Sequence, residues 1–78
     1  MNFGERLREE ARLQMLVCLA GAPDYTVADS VLQAALRDQG VSVSLAALRG
    51  DLSWLDEQGM LVTQRPGGAM GLTIATLT

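Results

Sequence analysis

The stretch SLAALRGDLSWLDEQG, from Ser44 to Gly59, carries the start, the buried stripe and the end of a single helix. Ser44 is a favoured N-cap residue, and glycine, here Gly59, is the residue type favoured just past a helix C-terminus. Four leucines recur at three- and four-residue spacing, which places them on one side of the helix facing a core: Leu45, Leu48, Leu52 and Leu55. The sequence therefore predicts a helix over 45–58.

The opposite side of this helix is nearly free of charge, and only Arg49 lies on its flank. It carries small, hydroxyl and apolar side chains and one acid: Ala46, Ala47, Gly50, Ser53, Trp54 and Glu57. Glycine inside a helix costs roughly 1 kcal/mol relative to alanine, so Gly50 indicates either the close approach of another backbone or a domain that tolerates the cost. We expect the β-hairpin that follows the helix to cover Trp54; the alternatives are a protein interface and base stacking.

The first helix is predicted over 2–20. Asn2 followed by Glu5 has the spacing of a capping box, and Gly21 and Pro23 end the helical pattern. Its charges alternate in sign three and four residues apart, so we expect a solvated face that neutralises itself through these pairs: Glu5/Arg8, Arg6/Glu10 and Glu9/Arg12.

A second helix is predicted over 27–39. Thr26 is a plausible N-cap with Asp29 at the right distance, and Gly40 closes the segment as a C-terminal cap. We expect this helix and its two neighbours to bury one common core: Leu7, Leu16, Val31, Leu36, Leu48, Leu52 and Leu55.

A two-stranded β-hairpin is predicted after the third helix, with strands over 60–64 and 71–77. Both segments are rich in β-branched and apolar residues, and the sequence between them demands a turn at Pro66, Gly67 and Gly68. A lone hairpin is marginal in water, so its apolar side must pack on the helices through Leu61, Leu72 and Ile74. The fold class is α+β, and residues 1–78 form a single domain.

The composition excludes several classes of function. With 49% apolar residues the chain is too hydrophobic to be disordered, and its formal charge of −3 gives no general attraction to phosphate. Cys18 is the one cysteine, expected as a buried thiol in a reducing cytoplasm, and there is no histidine. We therefore expect a cytoplasmic protein with no membrane segment, metal site, cofactor or enzymatic activity.

The carboxylates of Asp51, Asp56 and Glu57 point in different directions from the third helix, so they do not form an acid/base pair, and we expect them to serve solubility.

The segment VSLAALRGDLSWLDEQGMLV, residues 43–62, resembles the recognition helix and first wing strand of DeoR-, ArsR- and PadR-type bacterial regulators. In that pattern a serine opens the helix, an Arg-x-Asp-Leu follows and a Leu-x-x-x-Gly-x-Leu closes it. The chain is also similar in length and element order to short winged-helix proteins of Mu-like phages and prophages. The resemblance implies a winged helix-turn-helix that binds DNA.

Two hypotheses of function follow. The first is a DNA-binding module of a phage- or prophage-derived transcriptional regulator, which contacts double-stranded DNA through the third helix and the wing: Ser44, Ala46, Ala47, Arg49, Gly50, Ser53 and Arg65. With so few cations, useful affinity would need a homodimer or a larger assembly. The second is a protein-interaction or phage-assembly module that keeps the winged-helix frame and docks a protein partner on Ala46, Ala47, Gly50 and Trp54. The resemblance favours the first hypothesis, whereas charge and helix composition favour the second. We predict the first, DNA binding, because this frame is so often used for it, and we keep the protein-interaction module as the alternative.

Overall fold

The computed structural model describes residues 2–66 and 71–78, and the expected turn glycines Gly67 and Gly68 lie outside them. The described chain is α+β, with three helices and three short strands. In chain order these are α1 (Phe3–Ala20), a 3₁₀ turn (Pro23–Tyr25), β1 (Thr26–Ala28), α2 (Asp29–Asp38), α3 (Leu45–Glu57), β2 (Leu61–Gln64) and β3 (Ile74–Leu77).

The sheet has three strands and not the two that were predicted. Its order is β1-β3-β2 and both pairings are antiparallel, with Val27 opposite Ala75 and Val62 opposite Thr76. The segment assigned to the start of the second helix is β1, so that assignment was wrong. Thr26 does not cap α2; its Oγ1 lies 3.1 Å from Oγ1 of Thr76 on β3. Pairing with a distant strand has overridden a local capping signal.

The caps predicted at the starts of α1 and α3 and at the ends of α2 and α3 are confirmed. Asn2 Oδ1 accepts a hydrogen bond from the Glu5 backbone N–H at 2.8 Å, which forms half of a capping box. Ser44 Oγ accepts one from the Ala47 N–H at 3.1 Å at the start of α3. Gly40 and Gly59 have φ angles of +82° and +76° just past the ends of α2 and α3, a conformation that glycine adopts without strain.

The core forms between the three helices and one face of the sheet. Its members are Ala11, Met15, Leu19, Leu32, Leu36, Leu48, Leu52, Leu55, Leu61 and Ala75. The prediction is confirmed for Leu48, Leu52 and Leu55 of α3, for Leu36 and for Leu61, while Leu45 is half-buried at the margin of the core.

Part of the predicted core was wrong. Leu7 and Val31 are more than half exposed, Leu16 and the thiol-bearing Cys18 are half-buried, and Leu72 is half exposed. On α1 the buried line runs through Ala11, Met15 and Leu19, so the apolar residues on both sides of that line lie at the margin of the core or outside it. A helix that is apolar on more than one side does not specify from its sequence which side is buried.

None of the helices in the described parts of the chain is long and apolar enough to cross a bilayer.

Candidate functional site

The outer face of α3 is the surface that the sequence analysis singled out. Ala46, Ala47, Gly50 and Trp54 are exposed there as predicted, while Ser53 is half-buried. Ser44, at the start of the helix, is exposed and occupied in capping. These residues follow one another along a single helical face, so the structure brings most of the predicted site together.

Arg49, the predicted base-contacting cation of α3, is joined to the buried carboxylate of Asp29. Its Nε donates to Asp29 Oδ2 at 2.7 Å. The same oxygen accepts from the Thr73 N–H at 3.1 Å, and Oδ1 accepts from the Ser30 N–H at 2.7 Å. Burial alone would raise the pKa of Asp29, but the hydrogen bonds from Arg49, Thr73 and Ser30 outweigh it and hold the pKa below its usual value. Arg49 therefore ties α3 to α2 and to the chain just before β3.

A second buried carboxylate, Asp51, ties α3 to α1. Its Oδ1 accepts from Arg12 Nε at 3.0 Å and from Arg8 Nη2 at 3.3 Å. The expected pairing of these arginines with Glu5 and Glu9 on their own helix was therefore wrong, because a carboxylate buried on the neighbouring helix attracts both cations. The expected solvent role of Asp51 was wrong for the same reason.

Trp54, which was predicted to be covered by the hairpin, is contacted by Arg12 of α1 and stays partly exposed. The guanidinium carbon of Arg12 lies 4.0 Å from the centroid of the Trp54 ring, within the range of a cation–π contact. The indole is still about one third exposed, at 38%. Trp54 is therefore stacked on one side and open on the other.

A groove of about 400 Å³ runs between α1 and α3 beside this face. We call it the α1–α3 groove; its lining is Leu7, Arg8, Ala11, Val43, Ala47, Gly50 and Asp51. Apart from the adjoining residues and backbone of α3 itself, a Cβ added at Gly50 would meet no described atom within 4 Å. Packing within the described chain therefore gives no steric reason for a glycine at this position.

The remaining candidates lie on the hairpin. Arg65 is exposed immediately after β2. Asp56, which was expected to serve solubility, instead binds the free edge of β2: its Oδ2 accepts from the Thr63 N–H at 3.1 Å and from Thr63 Oγ1 at 2.8 Å. An edge strand whose outward N–H is bound in this way is protected against pairing with another chain.

Every buried side-chain nitrogen and oxygen of residues 2–66 and 71–78 has a hydrogen-bond partner. No group of three or more candidate metal ligands occurs there either. The sequence did not predict the ion pairs made by the two buried carboxylates, Asp29 and Asp51. Each acid and each arginine lies at a position that faces a neighbouring helix, but the partners are too far apart in sequence to be recognised as pairs.

Comparison with known proteins identifies a relative that matches this chain over part of its own length. An uncharacterized protein of Haemophilus influenzae is 35% identical over 65 residues, which cover 83% of this chain and 63% of that protein. The chain thus spans less than two thirds of this relative's length. No protein-family model matches the chain, and no solved structure matches it.

Proposed function

We propose that this chain is a winged-helix domain that binds a protein partner, an apolar helical segment, through the outer face of α3 and the α1–α3 groove. One observation carries the proposal: the exposed residues Ala46, Ala47 and Gly50 are small and uncharged, and Arg49, the cation of α3, is bound by Asp29. A base-reading helix normally offers Arg, Lys, Asn or Gln to the major groove. Ala46, Ala47 and Gly50 offer no donor or acceptor side chain.

The element order supports the winged-helix part of the proposal. Three helices precede the β2–β3 hairpin, as in the regulators that residues 43–62 resemble. The short strand β1, directly before α2, pairs with β3 and so joins the hairpin to the helices through one sheet. In such a frame α3 is the helix that faces a binding partner.

An apolar helix is the occupant that fits the groove. Leu7 and Val43 supply apolar walls, and the open space above Gly50 lets a partner backbone approach α3 closely. The Arg8 side chain is 66% exposed although one of its N–H groups binds Asp51, so it keeps donors for a carboxylate. We therefore infer that the partner segment combines apolar side chains with at least one acid.

Selection from a displayed library of helical peptides tests this function, with the wild-type protein as bait and Gly50→Arg as the counter-selection. We expect the selected peptides to be apolar, to carry an acidic residue and to shift the amide NMR signals of Ala47 and Gly50. They should bind Gly50→Arg at least about tenfold more weakly than the wild type, since the new side chain would fill the groove. Val31→Glu is the matched control, because Val31 is exposed on α2, and it should bind like the wild type. Peptides that map to another face, or no enrichment, would contradict the proposal.

Duplex DNA is the second candidate, and the exposed position of Arg65 favours it, since a wing arginine can enter a minor groove. In that case the chain would act as a transcriptional regulator of the phage or prophage type that the resemblance implies. Titration of a labelled duplex at low ionic strength distinguishes the two candidates. Duplex binding that is weaker in Arg65→Ala than in the wild type, and that is lost near physiological salt, would support DNA binding. If neither the wild type nor Arg65→Ala binds the duplex, DNA binding is excluded.

A further inference from the structure

Asp51 lines the α1–α3 groove, and only one of its two carboxylate oxygens is engaged by the described chain. Its side chain is 4% exposed. Oδ1 accepts both of the hydrogen bonds made to this carboxylate, from Arg12 Nε at 3.0 Å and from Arg8 Nη2 at 3.3 Å. Among the described residues no hydrogen bond reaches Oδ2. The groove therefore contains a charged acceptor with capacity for a further donor.

The second oxygen of Asp51 is open to the groove and not sealed in the core. Within residues 2–66 and 71–78, each side-chain oxygen that is fully enclosed has a hydrogen-bond partner, so Oδ2 keeps some contact with the surface. Asp51 meets the surface at the groove that it lines. A partner that filled this groove with apolar atoms alone would remove water from Oδ2 without replacing its hydrogen bonds, which is costly for a charged group. The partner must therefore supply a donor.

The charge around Asp51 determines which kind of donor fits. One carboxylate lies between two arginines, so the cluster has an excess of one positive charge. A lysine or arginine side chain brought to Oδ2 would meet Arg8 and Arg12 at close range, and this repulsion disfavours a cationic donor. Hydroxyl and carboxamide groups are neutral donors and avoid that repulsion.

Arg8 favours a carboxamide over a hydroxyl. Its side chain lines the same groove, is 66% exposed and keeps N–H groups beyond the one that binds Oδ1. A carboxamide has a donor NH₂ and an acceptor oxygen on one planar group, so it can bind Asp51 and Arg8 at the same time. A hydroxyl has a single oxygen, which would have to reach both groups.

We propose, on the basis of the function proposed above, that the helical partner places an asparagine or glutamine side chain against Asp51 in the α1–α3 groove. Its NH₂ group donates to Asp51 Oδ2, and its oxygen accepts from Arg8. The remaining N–H groups of Arg8 face outward and bind the acid of the partner.

Substitutions in the selected helical peptides test this contact without any change to the protein. We expect asparagine or glutamine at one fixed position of the peptides that shift the signals of Ala47 and Gly50. Replacing that residue by methionine should raise the dissociation constant in isothermal titration at least about tenfold, because the hydrogen bonds to two charged groups are lost. Replacing it by glutamate should raise it at least as much, because a second carboxylate would face Asp51. A glutamate peptide that binds as tightly as the carboxamide peptide would overturn the proposal.

A double-mutant cycle tests the contact from the side of the protein. Arg8→Met removes the donor to the carboxamide oxygen at an exposed position, and circular dichroism establishes that the variant is folded. The methionine peptide should then lose less affinity than it does with the wild type, by a factor of at least about three. Arg6→Met, at an exposed arginine of α1 outside the groove lining, should show no such coupling. Additive effects of Arg8→Met and the peptide change would overturn the contact.

The selection itself separates this contact from the proposed function. Peptides that map to the α1–α3 groove but carry no asparagine or glutamine would support the function and overturn the carboxamide contact. Peptides that map to another face, or no enrichment, would contradict both.

Discussion

Asp29→Asn removes the charge from the carboxylate that joins α2, α3 and the start of β3, while it leaves the shape of the side chain almost unchanged. In the wild type this buried carboxylate accepts hydrogen bonds from Arg49, Ser30 and Thr73. The amide can accept at only one oxygen, so its NH₂ group faces a donor, either the guanidinium or a backbone N–H. One hydrogen bond to a charged group is lost, and a buried donor loses its acceptor.

Hydrogen bonds to charged groups are worth about 1.5–3 kcal/mol, and breaking a fully buried ion pair costs about 3–5 kcal/mol. Arg49 is about one third exposed, so water can solvate it once the charge of Asp29 is removed. We therefore expect Asp29→Asn to lower the free energy of unfolding by about 2–3 kcal/mol, the lower part of these ranges. For a domain of this size the melting temperature should fall by about 10–20 °C. Urea and thermal unfolding measure the loss, with Asp38→Asn on the exposed end of α2 as control. A change within about 0.5 kcal/mol of that control would refute the role given to Asp29.

Three further predictions concern stability. The pKa of Asp29 is lower in the folded than in the unfolded state, so its ionised carboxylate stabilises the fold fully above about pH 4. This stabilisation is lost as the pH falls through the pKa of the folded state. In urea unfolding, the free energy of unfolding should therefore fall more steeply toward acid pH in the wild type than in Asp29→Asn. Gly50→Ala should stabilise the protein by about 1 kcal/mol, since the new methyl group meets open space and alanine favours the helix; a loss of stability would show that the position is strained. Leu52→Ala should cost about 2–5 kcal/mol and Leu7→Ala less than about 1 kcal/mol in the same urea assay, and equal losses would contradict the observed phase of α1.

The sequence predicted those features that depend on neighbouring residues. The caps at Asn2 and Ser44 and the glycines that end α2 and α3 were identified because each acts within a few positions. The short strand β1 was not, because three residues carry too little pattern and gain their structure from β3, about fifty residues away.

The same distinction divides the candidate site. The small outer face of α3 follows from helical periodicity alone, and it was predicted. The ion pair between Arg49 and Asp29 was not predicted, because Asp29 lies twenty residues earlier and was interpreted only as part of a helix cap. A cation on the flank of a helix can face solvent or a buried acid, and only the packing of α3 against α2 determines which.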